Sequence, residues 1–284
     1  MRSATRKQDH WYHPELDALR FFAFLLVFLF HASGSFRGIG RGPLHGFVPG
    51  AFGVDLFFTL SAFLITEILS REWRAKGSID IGAFYVRRIL RIWPLYFCFL
   101  LFTWIVVPHL LTFERFPLRA KVAYLVFVAN WQWLLKTPVR SVAAILWSVS
   151  LEEQFYLTWP LLLRRWMRRL PQIGIALLVA SNLFRLLVVS HADYGNFSLT
   201  LDYAWKATLS HLDSIVFGAL LAWYLKGEVP RMSSALRWPL LFVGAAGLLA
   251  AGYLGSPIGA RALWTYPLAS LACVTILYSV LRPS

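Results

Sequence analysis

Residues 21–30 read FFAFLLVFLF, ten consecutive apolar side chains that are bracketed by Arg20 and His31. At ~100° per residue, the helical steps between them bring His31 back to within about 20° of the face that carries Arg20. Asp17 lies near the same face, three residues before Arg20. An ionisable group costs at least ~2.5–3.5 kcal/mol at the centre of a bilayer, so such groups usually face a cavity or a functional site. The stretch therefore predicts a first membrane helix with one polar stripe.

The composition predicts the same class of protein for the whole chain. Of 284 residues, 58% are hydrophobic and 17% are aromatic, and the mean hydropathy is +0.59. Apolar runs recur with short basic spacers between them, which is typical of a polytopic α-helical membrane protein. No repeat or linker appears, so we predict one domain over residues 1–284. The fold class is an all-α transmembrane bundle of about eight spans, at approximately 14–34, 50–70, 93–112, 147–163, 172–190, 207–225, 238–254 and 262–281.

Segment 120–135 (AKVAYLVFVANWQWLL) is apolar but short, and it is either a ninth span or a re-entrant piece. If it does not cross, eighteen of the 28 lysines and arginines fall on the cytoplasmic side and nine on the other. If it crosses, the RRWMRR cluster at 164–169 faces outward, against the positive-inside rule. Charge therefore favours a re-entrant or interfacial segment and a cytoplasmic N-terminus.

The net charge of +14 does not indicate nucleic-acid binding, because the arginines cluster at helix ends and no hydrophilic domain is left to carry a groove. Cys98 and Cys273 both lie inside apolar runs, where packed thiols are expected instead of a disulfide. The sequence has no HExxH, CxxC, phosphate-binding glycine loop or GxSxG, so we predict no metal site and no serine-hydrolase chemistry.

Imidazole is the side chain best suited to moving a proton near neutral pH, which makes His31 a candidate general base. Arg20 and Asp17 would then position it or balance its charge. The alternative is an interfacial arginine that snorkels and a histidine bonded inside the bundle. Farther along, HLDSIVFGALLAWYL (211–225) places His211 and Asp213 before an apolar run, where a structural polar contact is the preferred interpretation.

Two further stretches carry acids at membrane depth. GAFGVDLFFTLSAFLITEIL (50–69) holds Asp55, which is costly without a partner and either has a function or pairs with an arginine of another helix. Its Ser61 and Thr66 are expected to bond to their own helix. LWSVSLEEQFYLTWPLL (146–162) begins with Glu152 and Glu153, which point ~100° apart and should have different partners. One of them could orient His31 or an incoming hydroxyl, or both could simply favour a helix start.

The stretch FYVRRILRIWPLYF (84–97) places Arg88 and Arg91 three residues apart on one helix face. Topology alone predicts basic residues here. Paired guanidinium groups are also suited to gripping phosphates, such as those of coenzyme A.

These stretches resemble the membrane acyltransferase-3 family, because the Arg20–His31 pair, GVDLFFTLSAFLIT, YVRRILR, WSVSLEEQFYL and HLDSIVFGALL occur in the family's order. The family's members are inner-membrane proteins that move acyl groups, usually acetyl, from cytosolic acyl-CoA to hydroxyls of surface polysaccharides, lipopolysaccharide O-antigen, Nod factors or macrolides. The resemblance implies a bacterial cytoplasmic-membrane O-acyltransferase with a carbohydrate or glycan acceptor and acetyl-CoA as co-substrate. The resemblance implies neither a metal ion nor a nucleic-acid partner.

Residue by residue, the resemblance implies that His31 is the catalytic histidine and Arg20 its essential companion. Arg88 and Arg91 match the basic motif associated with acyl-CoA, and Glu153, with Glu152 beside it, matches the acidic motif. Asp55 falls on the aspartate of the glycine–x–aspartate stretch, for which no role is assigned.

The chain departs from the family pattern at two places. Ala62 replaces a glycine, and two further helices that normally follow are missing after LYSVLRPS. The resemblance therefore leaves open a shortened homologue, a truncated product or an inactive relative. A transporter or flippase of a polyol-type substrate, with Arg20, His31 and Asp55 on the pathway, is the alternative from another functional class.

Overall fold

In this computed structural model the chain is a bundle of α-helices. The structure describes residues 13–35, 48–110, 117–131, 141–191, 205–256 and 259–282, apart from the side chains of 33–35 and 191, and no strand occurs among them. This confirms the predicted all-α class. The helices of eight or more residues are α1 (Pro14–Ser35), α2 (Gly53–Lys76), α3 (Ile81–Ile105), α4 (Leu118–Leu125), α5 (Trp147–Trp166), α6 (Leu170–His191), α7 (Leu212–Leu225), α8 (Ser234–Leu254) and α9 (Ala262–Val280). Short 3₁₀ segments precede α2, α5, α6 and α7 at Val48–Phe52, Val142–Leu146, Met167–Arg169 and Thr208–His211.

Six helical segments in the described part of the chain are long and apolar enough to cross a membrane, so the chain is a multi-pass membrane protein. One of the six, Val142–Ser190, contains both α5 and α6. Helix α1, with its Glu15, Asp17 and Arg20, is not among them. The count of eight spans therefore stays a prediction, although each of the eight predicted spans overlaps a helix of at least 14 residues.

The predicted span 93–112 is wrong at its start, because α3 begins at Ile81. The Asp80 side chain accepts a hydrogen bond of 2.9 Å from the backbone N–H of Ala83 and so caps the helix. The basic stretch around Arg88 is consequently part of the helix. Hydropathy missed this first part of α3 because charged residues interrupt the apolar run.

The segment 120–135 contains only α4, whose eight residues extend ~12 Å. That length is less than half of what a membrane span requires. The helix ends before Phe127, which has a positive φ of 55°. Residues 132–135 lie outside the described part of the chain. The short helix fits a re-entrant or interfacial segment, and whether the segment crosses the membrane stays a prediction.

Helix α2 lies at the centre of the bundle, with α1 and α7 packed against it. Gly218 of α7 is required there, because a Cβ atom at this position would lie 2.1 Å from the carbonyl oxygen of Thr59. Gly53 likewise allows α1 to approach α2, since a Cβ atom added at this position would lie 2.7 Å from the carbonyl oxygen of Ala23. Glycine at these two positions therefore allows the helix backbones to approach closely.

Helices α2 and α5 run in the same direction and contact each other along their length. Three hydrogen bonds show this, as Ser61 donates to Glu152, Trp159 to Thr66 and Ser70 to Met167. Helix α3 is antiparallel to α5. Its hydrogen bonds show this, since Tyr85 donates to the carbonyl of Leu157 and Trp93, farther along α3, donates to the earlier residue Glu153. Motif residues that are far apart in the sequence are therefore brought to the same depth of the bundle.

Both cysteines are free thiols. Cys98 is exposed on the outside of α3, whereas Cys273 is buried in α9. Among the residues that the structure describes, no group of three histidines, cysteines or acids is placed to hold a metal ion.

Candidate active site

Arg20 and Asp17 form an ion pair on the first two turns of α1. The Nη1 of Arg20 donates to Oδ1 of Asp17 at 2.5 Å, and the two side chains are 40% and 49% exposed. Their spacing of three residues places them on one helix face, as the sequence predicts. Arg20 is also within electrostatic range of Arg88 on α3.

His31 lies eleven residues farther along α1, ~16 Å from Arg20 along the axis, and is exposed. Its Nδ1 is 2.8 Å from the backbone carbonyl oxygen of Val27. A carbonyl can only accept, so Nδ1 carries a hydrogen and Nε2 is the basic nitrogen of the neutral ring. This tautomer is the one that a general base acting through Nε2 requires.

Arg88 is half-buried between two aromatic rings. Its guanidinium carbon lies 5.5 Å from the ring centre of Phe84 and 5.3 Å from that of Tyr156. Among the residues that the structure describes, none accepts a hydrogen bond from this guanidinium. The carboxylates of Glu152 and Glu153 act on it only electrostatically. Arg88 is therefore held in place while its N–H groups are available for an anionic or carbonyl oxygen.

Glu152 connects Arg88 to α2 through a short chain of polar contacts. The hydroxyl of Tyr156 donates to Oε2 of Glu152 at 3.1 Å. The Ser61 hydroxyl donates to Oε1 at 3.4 Å and also lies 3.4 Å from the Tyr156 hydroxyl. These contacts bring residues of the second, third and fourth sequence motifs together.

Glu153 is buried and has a different partner, as the ~100° separation of adjacent helix residues predicts. Its Oε2 accepts a hydrogen bond of 3.0 Å from Nε1 of Trp93. Its Oε1 has no hydrogen-bond partner among the described residues. Glu153 also interacts electrostatically with Arg88. The structure thus places Glu153 with Trp93 and Arg88, and no described contact joins it to His31.

Arg91 is exposed on the next turn of α3 and has no described hydrogen-bond partner. It interacts electrostatically with Arg88, but the aromatic contacts that hold Arg88 are not repeated around it. The two arginines predicted to act as a pair therefore lie in different surroundings.

Asp55 belongs to a second, fully buried polar cluster. Its Oδ1 is 2.8 Å from Nδ1 of His211 and accepts a hydrogen bond of 2.7 Å from Ser214. Beside it, Arg185 and Asp213 form an ion pair of 2.5 Å in which both side chains are at most 2% exposed. The alternative partner predicted for Asp55, an arginine, is thus wrong, because the partner is a histidine.

His211 is enclosed by aromatic rings. The rings of Phe58, Trp147, Trp205 and Tyr266 lie between 5.1 and 5.5 Å from the imidazole. Its Nε2 is 2.6 Å from the carbonyl oxygen of Trp205. Both nitrogens are thus engaged, the side chain is not exposed, and the contact with Asp55 joins His211 to α2. The sequence interpretation of His211 and Asp213 as structural contacts agrees with this geometry.

A family model described as an acyltransferase domain matches residues 13–281. The chain belongs to the acyltransferase-3 family. The O-acetyltransferase OatA of Staphylococcus aureus is 29% identical over 296 residues, which cover 96% of this chain and 46% of that protein. The peptidoglycan O-acetyltransferase OatA of Listeria monocytogenes is 29% identical over 197 residues, or 63% of this chain and 29% of that protein. The chain spans less than half the length of these curated relatives. No solved structure matches it.

For this acyltransferase-3 chain, the comparisons do not favour the transporter alternative, since both relatives are named as acetyltransferases. The sequence analysis missed Tyr156, Ser61 and Trp93 as partners of the acidic pair. A signal for Tyr156 exists, because it follows Glu152 by four residues and shares its helix face. Ser61 and Trp93 lie on other helices, and nothing local to the sequence identifies their partners.

Proposed function

We propose that this acyltransferase-3 chain transfers an acyl group, usually acetyl, from acyl-CoA to a hydroxyl of a glycan in the bacterial cytoplasmic membrane. The observation that carries the proposal is the convergence of Arg88, Tyr156, Glu152 and Ser61 from three motifs at one depth of the bundle. The similarity to named relatives supports the proposal, because the relative from Staphylococcus aureus is named an O-acetyltransferase and that from Listeria monocytogenes a peptidoglycan O-acetyltransferase. Peptidoglycan is therefore the first acceptor to test.

The chemistry needs a base for the acceptor and a cation for the donor. The acceptor hydroxyl gives its proton to Nε2 of His31 as its oxygen attacks the thioester carbonyl. The carbonyl oxygen becomes negative, and a hydrogen-bond donor beside His31, such as a backbone N–H, stabilises it, because the guanidinium of Arg20 lies ~16 Å away along α1. Arg88 and Arg20 contact the donor before the acyl group reaches His31. The carbon–sulfur bond then breaks, and the departing thiolate takes the proton from the imidazolium. Glu153 supports the positive charge of Arg88.

The separation within α1 constrains the route of the acyl group. Arg20 lies in electrostatic range of Arg88, whereas His31 is ~16 Å farther along the helix. Transfer at His31 therefore requires either a donor arm that extends along the bundle or an intermediate acyl carrier. With a cytoplasmic N-terminus, Arg20 stands near the side of the donor and His31 near the opposite side.

The proposal is tested with the full chain in membranes, incubated with labelled acetyl-CoA and peptidoglycan fragments. We expect label in the glycan with the wild-type chain, and at least a hundredfold loss with His31→Ala. The matched control is His109→Ala, which removes an exposed histidine outside the described polar clusters and should leave labelling unchanged. Unchanged labelling with His31→Ala would refute the role of His31. Absence of label with the wild-type chain would favour an inactive relative.

A further inference from the structure

Four arginines line one cavity at the junction of α5 and α6. The cavity has a volume of about 330 Å³. It is lined by the four arginines Arg164, Arg165, Arg168 and Arg169, and by Trp73, Trp166 and Met167. The 3₁₀ turn Met167–Arg169 separates the two helices, so the arginines at the end of α5 and those in the turn surround the same space. We refer to this cavity as the arginine pocket. None of the residues assigned above to the acyl-transfer site lines it.

The pocket is braced by contacts that orient its cations. The guanidinium of Arg168 lies 6.0 Å from the ring centre of Trp73, and that of Arg165 lies 5.7 Å from the ring centre of Trp166. Met167 is buried, and its sulfur accepts a hydrogen bond of 3.6 Å from Ser70 of α2. The pocket is therefore a built feature between α2 and α5, and not only a run of helix-end charges.

The basic residues at the end of α2 differ in having acidic partners at the same end of the bundle. Arg71 and Arg74 contact Glu67 at 2.5 and 3.3 Å, and Lys76 contacts Glu72 at 3.0 Å. No carboxylate of the described residues pairs with any of the four pocket arginines. Positive-inside topology explains why arginines occur here, but it does not explain why these four surround a cavity without a counter-charge. The uncompensated charge indicates an anionic ligand.

We propose that the arginine pocket binds the phosphorylated adenosine of the acyl-CoA donor. This inference rests on the proposed function and moves the donor's phosphates away from Arg88 and Arg91. The 3′-phosphate and the diphosphate of coenzyme A carry roughly four negative charges at neutral pH, which the four arginines match. The indoles of Trp73 and Trp166 offer faces on which adenine can stack.

The distance along α5 matches the length of the donor. Ten residues separate Tyr156, which holds Arg88, from Trp166 at the pocket, a rise of ~15 Å. The pantetheine arm has about twelve bonds between its phosphate oxygen and its sulfur, which span roughly 15 Å when extended. A donor with its phosphates in the pocket thus places its thioester at the depth of Arg88 and Glu152.

The test compares binding and turnover for the full chain in nanodiscs of zwitterionic lipid, using adenosine 3′,5′-bisphosphate as the probe. We expect the double variant Arg168→Gln/Arg169→Gln to weaken probe binding by about tenfold or more. Arg231→Gln, which removes an exposed arginine near the start of α8, is the matched control and should bind like wild type. Arg168→Lys/Arg169→Lys keeps the charge and should lie in between.

Turnover separates this inference from the proposed function. The double glutamine variant should raise KM for acetyl-CoA about tenfold with kcat unchanged, and leave KM for acetyl-pantetheine, which lacks the nucleotide, at the wild-type value. Equal probe binding by variant and wild type would overturn the inference even if acyl transfer persists. If the double glutamine variant loses a co-purifying anionic lipid but binds the probe like wild type, the inference is overturned, and the ligand of the pocket is a lipid headgroup. Probe binding without acyl transfer would refute only the proposed function.

Discussion

The Nδ1 of His211 lies 2.8 Å from Oδ1 of Asp55, a residue 156 positions away in the sequence. On its other side, Nε2 of His211 faces the carbonyl oxygen of Trp205, which can only accept. One proton is therefore shared between His211 and Asp55, whichever of the two carries it. With Arg185 and Asp213 beside them, the four side chains have no net charge, which lowers the cost of burying them in a membrane.

We expect Asp55→Asn to be much less harmful to stability than Asp55→Leu. The NH2 group of an asparagine can take the place of Oδ1, donating one hydrogen to Nδ1 of a neutral His211 and the other to the hydroxyl of Ser214, which can then donate to Ser270. Leucine has a similar size but leaves Nδ1 of His211 without a partner, at a cost of about 1–3 kcal/mol. Melting temperatures of the two purified variants in detergent give the comparison. Equal loss in both would show that the hydrogen bonds of Asp55 contribute nothing.

The ion pair of Arg185 and Asp213 should behave as a unit. Arg185→Met leaves the Asp213 carboxylate buried and unpaired, which should lower the free energy of unfolding by about 3–5 kcal/mol. The double variant Arg185→Met/Asp213→Leu removes both charges and should be more stable than either single variant. Thermal unfolding of all three measures this. A double variant whose loss equals the sum of the single losses would contradict the prediction.

The buried cluster around Asp55 and His211 shows which features of the molecule the sequence predicts and which it does not. The start of α1 at Pro14 and the long apolar helices follow from local rules on proline, caps and hydrophobic runs. The pairing of Asp55 with His211 does not, because a helix face tells where a side chain points but not which helix stands opposite. Ser61 is a similar case, since the local rule predicts a bond to its own helix whereas the structure has it contact Glu152.

The sequence predicts the Arg20–His31 stripe only in part. The two residues share a helix whose pitch fixes their relative angle, so the sequence predicts the stripe itself. Their surroundings depend on tertiary packing. Arg20 is near Arg88, whereas His31 bonds to its own helix ~16 Å away. Their joint action in catalysis stays a prediction.

The ring of Tyr156 should matter more to the donor than its hydroxyl does. Tyr156→Phe keeps an aromatic face beside Arg88 and loses the hydrogen bond to Glu152, whereas Tyr156→Leu loses both. A cation–π contact contributes about 0.5–2 kcal/mol, so we expect kcat/KM for acetyl-CoA to be roughly 2–30-fold lower in the leucine variant than in the phenylalanine variant.

Tyr85→Phe is the matched control for this comparison. It removes a hydroxyl that donates to the carbonyl of Leu157 on the same pair of helices, and no described contact joins it to Arg88. Its kcat/KM should remain at the wild-type value. Indistinguishable kinetics of the leucine and phenylalanine variants would mean that Tyr156 does not position Arg88.

The contact between α2 and α7 should tolerate no side chain at Gly218. The Cβ atom of an alanine would lie 2.1 Å from the backbone carbonyl oxygen of Thr59, so the helices must move apart. Such overpacking costs typically about 1–3 kcal/mol, and here the obstacle is backbone and cannot rotate away. Gly82→Ala is the matched control, because its Cβ would meet nothing closer than 3.6 Å and alanine favours the helix by ~0.5–1 kcal/mol. We therefore expect opposite shifts in melting temperature, and a Gly218→Ala variant as stable as wild type would disprove the close approach of α2 and α7.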